Sequence, residues 1–164
     1  MLISKPHHPG SIYLAQHNTK FGKISLLMAN HQLLRCSFGW LDLPYPKAST
    51  QQSLWLAEQI GEPIKPDQPN LTLAPQGTEF QIRVWQSLLN LPYGETRSYQ
   101  ALADSIGQPK AARAVANAVA ANPIAWFIPC HRVIRSNGEV GGFAWGIALK
   151  KQLLDAEKLA LQPN

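Results

Sequence analysis

A cysteine and a histidine stand side by side in the segment Ile128-Pro129-Cys130-His131-Arg132-Val133. The thiolate form of cysteine is the nucleophile, and a nearby base or cation favours that form. Neighbouring residues of a strand point to opposite faces, whereas a turn begun by Pro129 would let the two side chains converge. A buried cysteine is often only a small apolar side chain. The residues alone therefore leave two interpretations of Cys130 open, a reactive thiol and a core residue.

A glycine-rich segment follows the cysteine: Gly141-Gly142-Phe143-Ala144-Trp145-Gly146. Glycine permits close approach of the backbone to a ligand, so this segment is a candidate wall for a binding site. Trp145 is bulky among small neighbours and would narrow the entrance of such a site. The alternative is that Trp145 packs outward beside the last predicted helix, Ile147–Leu161.

Three helices are predicted before the cysteine. Thr78 can cap the first, in which Phe80, Val84, Trp85 and Leu88 share a face. Ser98 can cap a second, short helix that runs to Ile106 and ends at Gly107. After the turn at Gln108-Pro109, a third helix runs from Lys110 to Ala121, and Asn122 is expected to end it in a left-handed conformation.

The second and third predicted helices, joined by a tight turn, have the order of a helix-turn-helix. Alanine covers nearly every side of the third helix, and one long cation, Arg113, projects from it. Such a smooth helix could approach a grooved partner closely. An alanine-rich core helix is the other interpretation, and the pattern does not separate the two.

The first half of the chain is predicted to form strands over Ser11–Gln16, Lys23–Met28 and Leu33–Phe38, in an antiparallel meander. Asn30-His31 is a turn candidate, and a helix is expected over residues 50–60 with Gly61 as its stop. Four prolines between residues 61 and 76 mark a domain boundary. We therefore expect a strand-rich domain over residues 1–75 and a mainly helical domain over residues 76–164.

Composition narrows the class of protein. The chain has 164 residues, 45% of them hydrophobic and 15% charged, which is typical of a globular protein and not of a disordered one. The net charge of +5 permits a polyanionic partner without showing one. No apolar run has the length of a signal peptide or a membrane span. Two cysteines form no disulfide framework, so reduced thiols in the cytoplasm are expected. His7, His8, His17 and His31 are expected on the surface and not as metal ligands.

The motifs together resemble the O6-alkylguanine-DNA alkyltransferases. Pro129-Cys130-His131-Arg132-Val133, with Asn122-Pro123 before it and Gly141-Gly142-Phe143 after it, is similar to the active-site signature of that family. The resemblance extends over roughly residues 77–157 and is carried further by these positions: Phe80, Val84-Trp85, Pro92-Tyr93-Gly94-Glu95, Ser98-Tyr99, Lys110-Ala111-Ala112-Arg113-Ala114-Val115, Lys150, Leu153-Leu154 and Glu157. It implies an α+β fold, with a small N-terminal antiparallel sheet domain, ribonuclease H-like, and a mainly helical C-terminal domain carrying the helix-turn-helix.

The resemblance also implies a function and roles. The function is direct reversal of damage in double-stranded DNA, in which the alkyl group of O6-alkylguanine, and of O4-alkylthymine, moves irreversibly to Cys130 in one turnover after base flipping. His131 would draw the thiol proton through a water, Glu157 would orient His131, and Asn122 would link the recognition helix to the active-site turn. The remaining roles are divided between the base and the DNA: Tyr99, Val133, Phe143, Ala144 and Trp145 would face the flipped base, and Lys110, Ala112, Arg113 and Asn117 would bind DNA.

Departures from the family pattern are also visible. Ala125-Trp126-Phe127 stands where relatives often have proline or small aliphatic residues, and Phe143 replaces a common tyrosine. Some relatives bind zinc in the N-terminal domain, but Cys36 stands alone, so we expect neither a metal nor a cofactor. We expect a monomer that does not bind membranes.

The chemistry of the residues agrees with alkyl transfer. An ordinary thiol is a few per cent ionised at neutral pH, so full ionisation gains at most ~30-fold in rate. The remainder must come from positioning and from hydrogen bonds to the departing base. A target inside a duplex must be flipped out of the stack. The alternatives are a cysteine hydrolase, which would turn over repeatedly, and a non-catalytic helix-turn-helix or lesion-sensing protein, which the presence of Cys130 disfavours.

Overall fold

The computed structural model describes Ile3, residues 11–60 and residues 71–161. The chain divides into two compact units: one comprises Met1–Gln76 and Pro123–Phe127, and the other comprises Gly77–Asn122 and Ile128–Asn164. An antiparallel meander in the first unit and a mainly helical second unit confirm the α+β class. None of the described helices combines the length and the apolar content that crossing a membrane requires.

The first unit is built on the predicted meander. Strands β1 (Ile12–Thr19), β2 (Gly22–Ala29) and β3 (Gln32–Phe38) pair in antiparallel order, and Asn30 takes a φ of 53° in the turn between β2 and β3. Helix α1 (Thr50–Ile60) confirms the predicted helix, whose expected stop, Gly61, lies outside the described residues. The predicted strands were right in order and pairing, but each was one or two residues too short, and the first was predicted to begin one residue too early.

One strand of this sheet was not predicted. Strand β4 (Thr72–Leu73) pairs in parallel with β3, so the sheet is mixed and not purely antiparallel. Two residues are too few to show the alternation of apolar and polar side chains that marks a strand. Its contribution to the core is nevertheless clear, because Leu73 is fully buried and pairs with the buried Leu33.

The segment 123–127 completes the first unit. The backbone of Cys36 in β3 donates to Pro123 O at 2.9 Å and accepts from the N–H of Ala125 at 3.0 Å. Trp126 is buried, has a φ of 74°, and packs its ring against Phe21 and Phe38 at centroid distances of 5.2 and 5.7 Å. Ala125, Trp126 and Phe127, which depart from the family pattern, are therefore core residues of this unit.

The second unit begins with helix α2 (Glu79–Leu89). Thr78 and Gln81 form a reciprocal capping box, in which each side chain bonds the backbone N–H of the other. Trp85 is buried on the inner face of α2, and its Nε1–H donates to Ala118 O at 2.8 Å. This bond satisfies the polar atom of the indole and fixes α2 against the helix that carries Ala118.

The predicted helix-turn-helix region contains two helices and a short 3₁₀ turn. Strand β5 (Arg97–Ser98) leads into α3 (Tyr99–Ser105), which Ser98 caps through the N–H of Ala101. Gly107, with a φ of 71°, ends this helix as predicted. Residues Pro109–Ala111 then form a 3₁₀ turn before α4 (Ala112–Ala120).

Two details of the third predicted helix were wrong. Its first residues, including Lys110, form the 3₁₀ turn, in which the N–H of Ala111 bonds Gln108 O at 2.8 Å. Asn122 does not adopt a left-handed conformation, because its φ is not positive. The helix instead ends at Ala121, its C-cap residue, with a φ of −81°. The side chain of Asn122 points into the unit instead and has a different function, described below.

The last elements frame the cysteine. A 3₁₀ turn at Cys130–Arg132 leads into strand β6 (Val133–Ile134), which pairs in parallel with β5, and neither two-residue strand was predicted. Helix α5 (Ile147–Ala160) confirms the predicted last helix, with Leu161 as its cap. The inner face of α5 buries Lys150, Leu153, Leu154 and Glu157.

Candidate active site

Cys130 lies at the inner end of a cavity of about 380 Å³ in the second unit. It is the first residue of the 3₁₀ turn that follows Pro129, and only 3% of its surface is exposed. The walls of the cavity come from α3, α4 and the glycine-rich segment before α5, and they comprise Tyr99, Ala116, Asn117, Val119, Ala120, Gly142, Phe143, Ala144 and Trp145. A thiol in the wall of an open, mostly apolar cavity can react with a ligand held in line with it.

The surroundings of the thiol act on its ionisation in opposite directions. Burial raises the pKa of Cys130, because a charged sulfur is poorly solvated in the interior. A hydrogen bond from the Asn122 side chain, the positive charge of Lys150 and the N–H groups of Cys130 and His131 lower it in part. The net effect is a raised pKa, so the group is a thiol at neutral pH and requires a base to become a nucleophile.

His131 is the base that the geometry supplies. It is 1% exposed, and its Nε2 lies 2.7 Å from Oε1 of Glu157. Its Nδ1 is also buried and has no hydrogen-bond partner among the described residues. Burial lowers the pKa of His131, the hydrogen bond and charge of Glu157 raise it, and Arg132 and Lys150 lower it. The result is a pKa below the usual value, so the imidazole is neutral and able to accept a proton.

Glu157 anchors this histidine from α5. Burial opposes its ionisation, but hydrogen bonds and charges from His131 and Arg132 outweigh burial and lower its pKa to about 2. The N–H of Gly94 donates to Oε2 at 2.9 Å, from a backbone position with a φ of 78°. The carboxylate is therefore ionised at neutral pH and fixed in orientation.

Asn122 connects the end of α4 to the turn that carries the cysteine. Its Nδ2 donates to Ile128 O at 2.9 Å, and its side chain also hydrogen-bonds the sulfur of Cys130. The side chain is 4% exposed, so these bonds form in a region of low polarity where they are strong.

Lys150 is a fully buried cation behind the thiol. Its Nζ donates to Val133 O at 2.6 Å and to Gly142 O at 3.4 Å, joining β6 to the glycine-rich segment. Burial lowers its pKa to about 8, against a smaller opposing effect of Cys130. Because this cation lies near the thiol, it stabilises the thiolate once that has formed.

The residues predicted to face the base or the DNA divide into those that line the cavity and those that lie outside its wall. Tyr99, Asn117, Phe143, Ala144 and Trp145 line the cavity with Cys130, and the rings of Phe143 and Trp145 meet edge to face at 5.2 Å. Burial, and the charge of the nearby thiolate, raise the pKa of Tyr99, which keeps its hydroxyl protonated as a donor.

The remaining predicted residues lie outside the cavity wall. Val133 is buried beyond Cys130, with its carbonyl bonded to Lys150. Lys110 and Arg113 are exposed at the start of the α4 region, and Ala112 is half-buried there. Among the described residues, no group of three or more His, Cys, Asp or Glu side chains could hold a metal ion.

Three residues of the site were not assigned roles from the sequence. The residues are Arg132 and Gly94, which bind Glu157, and Lys150, which lies behind the thiol. Gly94 carried a usable signal, since a Pro-Tyr-Gly turn favours a positive φ at glycine. The other two are long cations, which are exposed in most proteins. The spacing of Lys150 from Leu153 and Leu154 does place it on the apolar face of the last helix, whereas nothing in the position of Arg132 indicated burial.

The chain has recognisable relatives among known proteins. Residues 79–159 match the family described as "6-O-methylguanine DNA methyltransferase, DNA binding domain". A methylated-DNA–protein-cysteine methyltransferase of Mycobacterium bovis is 40% identical over 151 residues, which cover 91% of this chain and 87% of that protein. This chain belongs to the methylated-DNA–protein-cysteine methyltransferase family.

Other members of the methyltransferase family match over different lengths. The bifunctional transcriptional activator and DNA repair enzyme Ada of Escherichia coli is 56% identical over 87 residues. That match covers 53% of this chain and 25% of Ada, so the chain spans a quarter of the length of that relative. A probable methyltransferase of Acanthamoeba polyphaga mimivirus is 54% identical over 89 residues, which is 59% of its length.

Solved structures of the family agree with the fold. The crystal structure of Mycobacterium tuberculosis OGT in complex with DNA has a TM-score of 0.80 and 35% identity, and the match covers 90% of this chain and 93% of that one. The O6-methylguanine methyltransferase of the same organism has a TM-score of 0.79 and 32% identity. The two-unit fold is therefore that of the family.

Proposed function

We propose that this protein repairs double-stranded DNA by moving the alkyl group of O6-alkylguanine to the sulfur of Cys130. One observation carries the proposal: Cys130 lines an open cavity, beside a histidine that Glu157 holds and whose second nitrogen is available. Family membership supports the same reaction, and the name of one similar structure records that protein in complex with DNA.

The reaction balances with the groups present. His131 takes the proton of Cys130 through its Nδ1, with a water as relay, and the thiolate attacks the alkyl carbon. A sulfur–carbon bond forms while the bond between that carbon and O6 breaks, and its electron pair stays on guanine. The guanine anion then gains one proton, equal in number to the proton that the thiol lost. The thioether is stable, and no group in the cavity could reverse the transfer, so each molecule acts once.

The departing base is stabilised by the walls of the cavity. Tyr99 lies in the wall with a protonated hydroxyl, which can donate a hydrogen bond to the base as charge develops on it. The resemblance assigns the N–H of Ala144 to O6 and the carbonyls of Cys130 and Val133 to the guanine amino group, and the Val133 carbonyl, already bonded to Lys150, would use its second lone pair. Phe143 and Trp145 pack against the ring of the base. O4-alkylthymine presents a similar alkyl–oxygen bond and is a second substrate.

Helix α4 is the element that we assign to DNA. Ala114, Ala116 and Ala120, which are exposed or half-buried, keep the outer side of the helix narrow, and a narrow helix can enter the minor groove. Arg113 is exposed and fills the space that the flipped nucleotide leaves in the stack, while Lys110, Ala112 and Asn117 contact the backbone nearby. The unit formed by Gly77–Asn122 and Ile128–Asn164 is then the DNA-binding and alkyl-acceptor domain, close to the expected residues 76–164, and the strand-rich domain expected over residues 1–75 also takes in Pro123–Phe127. The protein acts as a monomer in the cytoplasm, where its thiols stay reduced.

A pair of cysteine variants tests the proposal. Cys130→Ser should abolish methyl transfer from an O6-methylguanine duplex and leave binding of that duplex within about threefold, since binding uses α4 with Lys110 and Arg113 and not the thiol. Cys36→Ser is the matched control, because Cys36 is an equally buried thiol in the core of the first unit. The control should transfer at the wild-type rate. Residual transfer by Cys130→Ser would overturn the assignment of the acceptor.

A further inference from the structure

Arg132 is a buried cation with no role in the reaction described above. It is 4% exposed, and its Nε lies 3.1 and 2.9 Å from the two carboxylate oxygens of Glu157. Its Nη2 donates to Oε1 of Glu157 at 2.9 Å, and its Nη1 donates to Leu91 O at 2.7 Å. The ring of Tyr93 lies 5.4 Å from the guanidinium carbon. The guanidinium is therefore held between the loop after α2 and helix α5.

The guanidinium binds the same carboxylate as His131. Oε1 of Glu157 accepts from Arg132 and lies 2.7 Å from Nε2 of His131, and Oε2 accepts from Arg132 and from the N–H of Gly94. An ionised carboxylate is only an acceptor, so Nε2 must carry the hydrogen of this pair. A neutral imidazole then has its lone pair on Nδ1, the nitrogen without a partner among the described residues.

The charges around His131 work against each other. The anionic Glu157 on α5 favours a protonated imidazole, whereas the cations Arg132 and Lys150, together with burial, favour the neutral one. The remaining titratable neighbours are the thiol of Cys130 and the hydroxyl of Tyr93. The charge of Glu157 raises the pKa of Tyr93, and the charge of Arg132 lowers it. Without the opposing charge of Arg132, the charge of Glu157 would raise the pKa of His131 further.

We propose that Arg132 is a positioning residue that fixes the Glu157 carboxylate against Nε2 of His131 and, by sharing its charge, keeps the imidazole neutral with Nδ1 as the base. The inference rests on the alkyl transfer proposed above. It assigns Arg132 to setting the protonation state of the base and not to contact with the alkyl group or with DNA.

Titration of His131 by NMR is the first test. In the wild-type protein at pH 7, nitrogen shifts should show Nε2 protonated and Nδ1 unprotonated. Arg132→Gln keeps hydrogen-bonding groups near the carboxylate but removes the charge, so it should raise the pKa of His131 by about one unit, a tenfold change in proton affinity. Arg132→Lys restores the charge and should bring the pKa back toward the wild-type value. Glu157→Gln should move it in the opposite direction, and Arg83→Gln, at an exposed arginine of α2, should not move it.

The rate of methyl transfer to Cys130 as a function of pH is the second test. The acid limb of that profile marks the loss of the base by protonation of His131. It should move to higher pH in Arg132→Gln and return in Arg132→Lys. A merely structural arginine would slow both variants without moving the limb.

The outcomes separate this inference from the proposed function. A wild-type protein that transfers methyl normally, with a His131 titration that Arg132→Gln leaves unchanged, overturns the inference alone. Failure of the wild-type protein to transfer overturns the proposed function, while the titrations still decide how Arg132 acts on His131. If Arg132→Gln does not fold, the wild-type spectrum decides: an Nδ1-protonated or doubly protonated imidazole at pH 7 overturns the inference.

Discussion

At the scale of single residues, Cys130 and His131 are buried side chains whose shifted pKa values favour the neutral form of each group. Burial raises the pKa of Cys130 and lowers that of His131, so both are neutral at rest. For Cys130, the Asn122 hydrogen bond and the Lys150 charge offset the rise in pKa only in part, whereas for His131 the Lys150 charge adds to the lowering. Cys130 is therefore a thiol at rest and becomes a thiolate only when its proton can move to His131, as the transfer proposed above requires.

Trp145 gives a prediction at this scale. Its indole lines the cavity with Phe143, so it narrows the space beside Cys130. Overpacking a tight site costs ~1–3 kcal/mol, a rate difference of about ten- to a hundredfold. We expect O6-methylguanine in DNA to react well and free O6-benzylguanine poorly, and Trp145→Gly to speed the benzyl reaction by at least about tenfold.

Single-turnover rates with both substrates measure this effect. The control is Trp40→Gly, which removes an exposed tryptophan of the first unit and should change neither rate. Equal slowing of the methyl and benzyl reactions by Trp145→Gly would mean that the indole supports the fold and does not limit the size of the ligand.

At the scale of elements, α4 presents Arg113 to solvent at its first turn while its inner face buries Val115, Ala118 and Val119. If Arg113 holds the flipped state, Arg113→Ala should slow repair of an O6-methylguanine duplex by at least about tenfold, or ~1.4 kcal/mol. Its reaction with free O6-methylguanine base should stay within about twofold, because a free base needs no flipping. Arg83→Ala on α2 is the control. Equal slowing with both substrates would mean that Arg113 supports the fold and does not hold the flipped nucleotide out of the stack.

Gly94 gives a second prediction at this scale. A Cβ at this position would overlap the side chain of Leu161, and the φ of 78° is unfavourable for alanine. Gly138 has a φ of 84° and no atom within 4 Å of the same added Cβ, so Gly138→Ala carries only the backbone cost. The overlapping atom is the tip of the exposed Leu161 side chain, which can turn away, so we expect Gly94→Ala to be the more destabilising by at most about 1 kcal/mol in denaturant unfolding. Equal losses of stability would show that the turn absorbs the clash by moving.

Local signals predicted the elements that depend on local physics. Thr78 and Ser98 cap α2 and α3 where their hydroxyls suggested it, and Gly107 ends α3. Strands β4, β5 and β6 have two residues each and form through pairing with distant segments, which no local pattern records. Asn122 was placed correctly in the chain but not in conformation, because its bonds to Ile128 and Cys130 decide its orientation.

At the scale of the whole molecule, the buried network around Glu157 links stability to pH. The carboxyl has a pKa of about 2 in the folded protein, below its usual value near 4.5. A depressed carboxyl pKa contributes stability that is present above the unfolded pKa and is lost as the pH falls toward the folded pKa. We expect up to about 3 kcal/mol of unfolding free energy to disappear between pH 4.5 and pH 2.

Denaturant unfolding across that range measures the contribution. Glu157→Gln should be less stable at pH 7 and should lose less stability than the wild-type protein between pH 4.5 and pH 2. Glu58→Gln, at an exposed position of α1, is the control and should follow the wild-type curve. Parallel curves for Glu157→Gln and the wild type would mean that the carboxyl is not held as an anion.

The central claim is that Cys130 accepts one alkyl group, once. The direct measurement is intact mass followed by peptide mapping after incubation with a threefold excess of duplex carrying isotopically labelled O6-methylguanine. The account predicts a gain of one labelled methyl group per protein, mapped to Cys130, with one equivalent of guanine restored in the DNA and no further turnover. Label on Cys36, repeated turnover, or binding without any gain in mass would contradict it.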